Sequence, residues 1–170
     1  MIMTRSYLLT RTLPFLLALA AVALIALPAT AQTGFLKMDG IDGDAKARDH
    51  MGWIDVVSVS YDWERAAGPG TGQGRRRASV TYGDVVIVKE IDGSTPMLID
   101  ALARGRAIPS ALLDVMRGNS VVLKYELTNV AVTSHSIKDG REQVSLSFES
   151  IAITHPDSGR ETEVNTVTGR

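Results

Sequence analysis

The chain contains no cysteine. Disulfides are therefore excluded, even in a compartment that would permit them, and so is a lipid anchor on an N-terminal cysteine. Histidine is scarce: His50, His135 and His155 are the full set, and no two lie at the i, i+2 or i, i+4 spacing that places two ligands on one face. All three read as surface or strand-end histidines, and the expectation is no metal and no cofactor. An excess of either charge is also missing, since 18 Lys and Arg stand against 19 Asp and Glu. That near-neutrality argues against nucleic acid or a membrane surface as partner. After residue 31 no apolar run is long enough to span a bilayer. There is no G-x-S-x-G elbow, and the glycine-rich stretch Gly68–Gly74 lacks the Lys-Ser/Thr ending of a phosphate loop. Asp39, Asp42 and Asp44 begin like a calcium loop, but Lys46 stands where a third oxygen ligand should be, so they read as a solvated turn. Together these absences point away from an enzyme.

The first 31 residues are a unit of their own. Arg5 and Arg11 make a basic start, Leu13 to Leu27 is apolar apart from Pro14, and Ala29-Thr30-Ala31 offers small residues where a signal peptidase reads. This is the layout of a secretory signal peptide cleaved between Ala31 and Gln32, without the twin arginine of the alternative route. A membrane anchor is the competing reading of the same run. Cleavage leaves one domain, large enough to bury about two thirds of its unfolded surface without staples, in a periplasmic or secreted location with no membrane attachment.

The mature chain reads as strand after strand. Period-two apolar alternation or β-branched runs predict strands over 34–38, 53–63, 78–88, 108–116, 121–129, 130–137 and 143–154. Residues 65–77, "RAAGPGTGQGRRR", form a long exposed loop. Residues 156–170 are polar and predict a frayed tail. One helix interrupts the pattern in "STPMLIDALARG". Thr95 suits its N-cap, Pro96 its first turn and Gly105 the position after its end. Met97, Leu98, Ala101 and Leu102 share one face, and a helix this short is marginal alone, so that face must dock. The expected architecture is mainly β, an antiparallel barrel over residues 32–155 with one short side helix.

The order of these features resembles the haemolysin-coregulated protein (Hcp) family, the tube protein of type VI secretion. The likeness runs through "FLKMDGIDGDAKARDHMGWIDVVSVSYDW", with its DGI-x-G turn and Asp-His before W-I-D-V. It continues through "RASVTYGDVVIVKEIDGSTPMLIDALARGRAI", with K-x-I-D-x-x-[ST]-P-x-L opening the helix, and "LKYELTNVAVTSHSIKDGREQVSLSFESIAI". The resemblance implies a barrel protomer that closes into a six-membered ring, rings that stack into a tube, and a lumen able to carry an effector protein. It implies that the loop after the second strand stacks rings; here that loop holds Gly68, Gly70, Gly72, Gly74, Arg75, Arg76 and Arg77. An export signal departs from the family pattern, whose members are expelled from the cytoplasm by the machine itself.

Two readings from other classes stand beside the ring. One is a monomeric secreted binding module that grips its partner with the Gly/Arg-rich loop. The other is a secreted hydrolase with a triad drawn from His135 or His155.

Overall fold

The structure, a computed structural model, describes residues 34–65 and 80–167. Its strands are β1 (Gly34–Met38), β2 (Ile54–Ser60), β3 (Trp63–Arg65), β4 (Val80–Tyr82) and β5 (Val85–Glu90), then, after helix α1 (Thr95–Arg104), β6 (Ala107–Arg117), β7 (Ser120–Lys138), β8 (Arg141–Ser147), β9 (Ser150–His155) and β10 (Arg160–Asn165). The large sheet runs β10-β9-β7-β6-β1-β2-β5-β8, and β8 also pairs with β7. That last pairing closes six strands into an antiparallel barrel, as the alternation implied. The β9–β10 hairpin flares from it, and β3 pairs with β4 as a separate small ribbon.

The barrel interior follows the period of two. Leu36, Ile54, Val56, Ile87, Leu113, Leu127, Val144 and Leu146 are all buried in one cluster. A barrel of so few strands is filled by its own side chains, so this is a packed core.

β7 is the longest element and the place where sequence and structure diverge most. Two strands were expected, 121–129 and 130–137, but one strand of 19 residues forms. One edge of it pairs with β6 from Ser120 to Ala131. The other edge pairs with β9 through Lys124–Thr128 and then with β8 through Ala131–Lys138. The change of partner falls at Asn129, which adopts φ 47°, a conformation asparagine tolerates better than most residues. The Asn129 amide donates to Glu149 Oε2 at 2.9 Å, beside the crossing. The expected strand break is thus a pivot inside one strand.

Three other expected strands are split: of 53–63, β2 ends at Ser60 and Trp63 passes to β3. Residues 78–88 divide at Gly83 and Asp84 into β4 and β5, and 143–154 divides at Phe148 and Glu149 into β8 and β9. The polar tail does not simply fray over its described residues, 156–167. A 3-10 turn at Pro156–Ser158 leads into β10, which pairs with β9 in register from Arg160↔His155 to Asn165↔Ser150. The Thr166 hydroxyl then donates to the Phe148 carbonyl at 3.0 Å. Backbone pairing needs no apolar side chain, so polarity alone misled.

α1 packs on β7. Leu98 and Ala101 are fully buried, and Leu102 packs at the margin of the core. Met97 does not dock; it is 41% exposed. Residues 98, 101 and 102 form the i, i+3, i+4 stripe, and Met97 lies about 100° round the helix from Leu98. Gly105 ends the helix in the left-handed region at φ 61°, as expected, its N–H and that of Arg106 returning to Leu102 and Ala101. The start differs: Ser94 holds the N-cap position without a side-chain cap to the helix, and Asp92 fixes Ser94 itself. Asp92 Oδ1 accepts from the Ser94 N–H at 2.9 Å and from its hydroxyl at 2.5 Å.

Beneath this turn lies a buried charge network that the sequence reading did not anticipate. Lys89 and Glu142 are both fully buried. Lys89 Nζ donates to the Glu90 carbonyl at 2.7 Å and pairs with Asp92 Oδ1 at 2.8 Å and Glu142 Oε2 at 3.2 Å, which uses all three ammonium protons. Glu142 also accepts from the Thr95 hydroxyl on α1, and His135 Nε2 lies 3.3 Å from its Oε2. Burial pushes the Asp92 carboxyl up, but the hydrogen bonds from Lys89 and Ser94 and the Lys89 charge outweigh it and hold the group below its ordinary value of 3.8. The network joins the end of β5, the first turn of α1, β7 and β8.

Two outcomes follow for urea unfolding. Leu98→Ala should cost about 2–5 kcal/mol, as for other aliphatic side chains removed from a packed site, while Met97→Ala should stay within about 1 kcal/mol; equal losses would contradict the docking described. Glu142→Ala leaves the buried Lys89 ammonium one partner short, with Asp92 and the Glu90 carbonyl remaining, and should cost about 1–3 kcal/mol; the double variant Lys89→Met/Glu142→Leu should recover most of that loss. A double variant no better than Glu142→Ala would show that the pair is not the source of the cost.

Candidate assembly surfaces

A protein of this kind acts through its outer surface, and three features organise it. The first is the root of the β3–β4 ribbon. Trp63 sits at the centre of an aromatic group, with ring centroids 4.7 Å from Tyr61, 5.4 Å from Tyr82 and 6.4 Å from Phe148. Its indole N–H donates to the Gly83 carbonyl at 3.3 Å. Tyr61 also contacts Tyr125, whose phenol is pushed up by burial and by Tyr61 itself. The ribbon that carries the Gly/Arg-rich segment is therefore fastened to the barrel wall by side-chain packing.

The second feature is a cleft on the outer wall. β1 turns Leu36 inward and Phe35 outward, yet Phe35 is 5% exposed because the segment between β1 and β2 folds over it. His50, at the end of a 3-10 turn (Arg48–His50), stacks on Phe35 with centroids 4.1 Å apart and planes within 7°. Trp53 meets the imidazole edge-on at 4.7 Å. His50 Nε2 lies 2.8 Å from Asp114 Oδ2 on β6. Phe35, Asp114 and Lys124 stand opposite one another across β1, β6 and β7, so they share one outward-facing row.

The third feature is the flank carrying α1, where Ile91, Met97 and Ile99 are 41–53% exposed. Beyond the pivot in β7, the β9–β10 flap presents a strand that, among the described residues, is paired on one side alone.

The residues singled out from the sequence fare unevenly. Leu98, Ala101 and Leu102 come together beneath α1 and Met97 does not. Ala31 and Gln32, the expected cleavage site, and Gly68, Gly70, Gly72, Gly74, Arg75, Arg76 and Arg77, the expected stacking loop, lie outside the described residues. The histidines were expected at the surface or at strand ends. His155 fits, meeting the Ser158 hydroxyl in an exposed turn at 3.3 Å. His50 and the side chain of His135 are more than nine-tenths buried against Asp114 and Glu142. Lys89 and Glu142 were passed over because charge suggests solvent, although parity with Val85 and Ile87, and with Val144 and Leu146, marked both as inward. Among the described residues no three His, Cys, Asp or Glu cluster as metal ligands, and no helix is long and apolar enough to cross a membrane.

Comparison with known proteins converges on one family. The family described as "Type VI secretion system effector, Hcp" matches residues 35–155. Protein hcp1 of Pseudomonas aeruginosa is 27% identical over 131 residues, covering 71% of this chain and 81% of that protein. Among solved structures, Hcp1 of Salmonella typhimurium superposes with a TM-score of 0.67 at 28% identity, covering 81% of this chain and 97% of its own. A doubly substituted Hcp1 from E. coli EAEC 042 gives 0.68 at 25% identity, covering 79% and 97%. With the closed barrel, the docked helix and the family match across the whole of that barrel, this chain belongs to the Hcp family of type VI secretion, whose members are structural tube proteins and not enzymes.

Proposed function

We propose that the chain is an exported Hcp protein that assembles head-to-tail into a six-membered ring and acts by self-assembly, with an effector protein carried in the lumen. The observation that carries this reading is the extent of the match: the family likeness covers residues 35–155, from β1 to the end of β9, so the entire barrel protomer is present. A head-to-tail ring needs two different patches on each copy. The α1 flank, with Ile91, Met97 and Ile99 exposed, offers an apolar surface for one of them. Ring stacking is assigned to Gly68–Arg77, whose triple arginine seeks acidic groups on the next ring; the aromatic fastening holds β3 and β4, which flank that segment in sequence, to the barrel.

Export through the general secretory route rests on the leader. The basic start, the apolar run and Ala29-Thr30-Ala31 precede the segment that matches the family. The mature protein then begins at Gln32 and reaches the periplasm or the medium.

Light scattering on the purified mature protein should give six times the protomer mass, and a monomer at micromolar concentration would favour the binding-module reading instead. Replacing Arg75, Arg76 and Arg77 together with Ala should leave the ring intact and abolish stacks in electron micrographs; unchanged stacks would remove the loop from that role. N-terminal sequencing of the exported protein should begin at Gln32, whereas an intact Met1 in the membrane fraction would replace the signal peptide with an anchor.

A further inference from the structure

We propose that the buried network around Lys89 and Glu142 positions the α1 flank for docking against a second copy of the chain, a role separate from holding the barrel together. The inference rests on the self-assembly proposed above and says how one of the two patches is held in shape.

The patch is apolar and short of internal support. Its exposed side chains are Ile91, in the turn after β5, and Met97 and Ile99, in the first half of α1. A helix of ten residues is marginal alone. Its buried anchors, Leu98 and Ala101, are apolar. Apolar burial is non-directional, so it holds the helix down without fixing where its first turn begins. Hydrogen bonds are directional and can fix it.

Such bonds converge on the turn before α1 from three parts of the fold. Lys89 on β5 reaches the Glu90 carbonyl and Asp92 Oδ1, the two neighbours of Ile91 in sequence. The Thr95 hydroxyl accepts from the Asp92 N–H at 3.2 Å and donates to Glu142 on β8. From the connection between β1 and β2, Asp44 Oδ2 accepts from the Gly93 N–H at 2.9 Å. Asp44 belongs to the acidic stretch that reads as a solvated turn, and this contact gives it a task. An apolar pair of like volume at 89 and 142 would fill the interior without the desolvation cost, but it could hold neither Asp92 nor Thr95. Ile91 and Met97 would then be free to drift. Affinity for a partner falls in proportion to the fraction of molecules in the docking-competent arrangement. The partner that fits three exposed aliphatic side chains is apolar, and in a family of structural tube proteins it is another copy.

The test is sedimentation velocity over a concentration series, on variants verified as folded by circular dichroism. Lys89→Met/Glu142→Leu should fold and yet self-associate at least about tenfold more weakly than the unaltered protein. Thr95→Val, which removes only the hydroxyl, should weaken association in the same direction, and Thr95→Ser, which restores it, should associate normally. Met97→Glu/Ile99→Glu should abolish association without unfolding the chain. Normal association of the folded Lys89→Met/Glu142→Leu variant, or equal weakening by Thr95→Val and Thr95→Ser, would overturn the positioning role and leave the ring reading intact. Association indifferent to Met97→Glu/Ile99→Glu would remove the flank from the interface. An unaltered protein that stays monomeric would overturn this inference together with the ring. If Lys89→Met/Glu142→Leu does not fold, the contrast between Thr95→Val and Thr95→Ser decides alone.

Discussion

The hydrogen bonds between β7 and β8 turn an open sheet into a barrel. Without them β8 would be an edge, its inward residues Val144 and Leu146 would face water, and β7 beyond Ala131 would lose its partner. Closure requires β7 to serve two partners on the same edge, β9 early and β8 late. A strand that ran straight could not do this; one residue in the left-handed region, Asn129, re-aims it. The helix is secondary to that event, since α1 docks on β7 and is tied to β8 through Glu142.

The buried charges follow from the same closure. Lys89 is on β5 and Glu142 on β8, opposite one another in the register that joins those strands. Both are inward by parity, so neither can reach water without breaking the alternation that buries its neighbours. Each is tolerable in a packed interior because the other is there, with Asp92, Thr95 and His135 completing the set. An apolar pair of like volume would be cheaper in desolvation. The charged pair does something an apolar one would not: it bonds to the first turn of α1 and so sets where the helix begins.

Much of this was legible in the residues. Alternation located the barrel strands, and Thr95, Pro96 and Gly105 bounded the helix closely, because turn chemistry and period-two burial act over a few residues. What was not legible depended on distant partners. Nothing local tells Asn129 to pivot instead of ending a strand, since the reason is Glu149 and the change of neighbour. The β10 strand has no apolar pattern because its pairing is through the backbone. His50 looked like a surface residue because Phe35 and Asp114, which enclose it together with the nearby Trp53, come from distant parts of the chain. The family likeness was legible for a related reason: it rests on the order of short local motifs, which survive where overall identity has fallen to 25–28% in the structures compared.

The β9–β10 flap has one more implication. A six-residue strand that is paired on one side alone among the described residues is a template onto which another copy could zipper, and a protein concentrated enough to form rings would meet that hazard often. Glu161 and Glu163 lie two residues apart on this strand, on one face and exposed. Two such strands drawn together would crowd like charges against each other, so indiscriminate growth by backbone pairing is disfavoured there. Copies are then left to recognise one another through the side chains of their flanks, where geometry can enforce a finite, closed count.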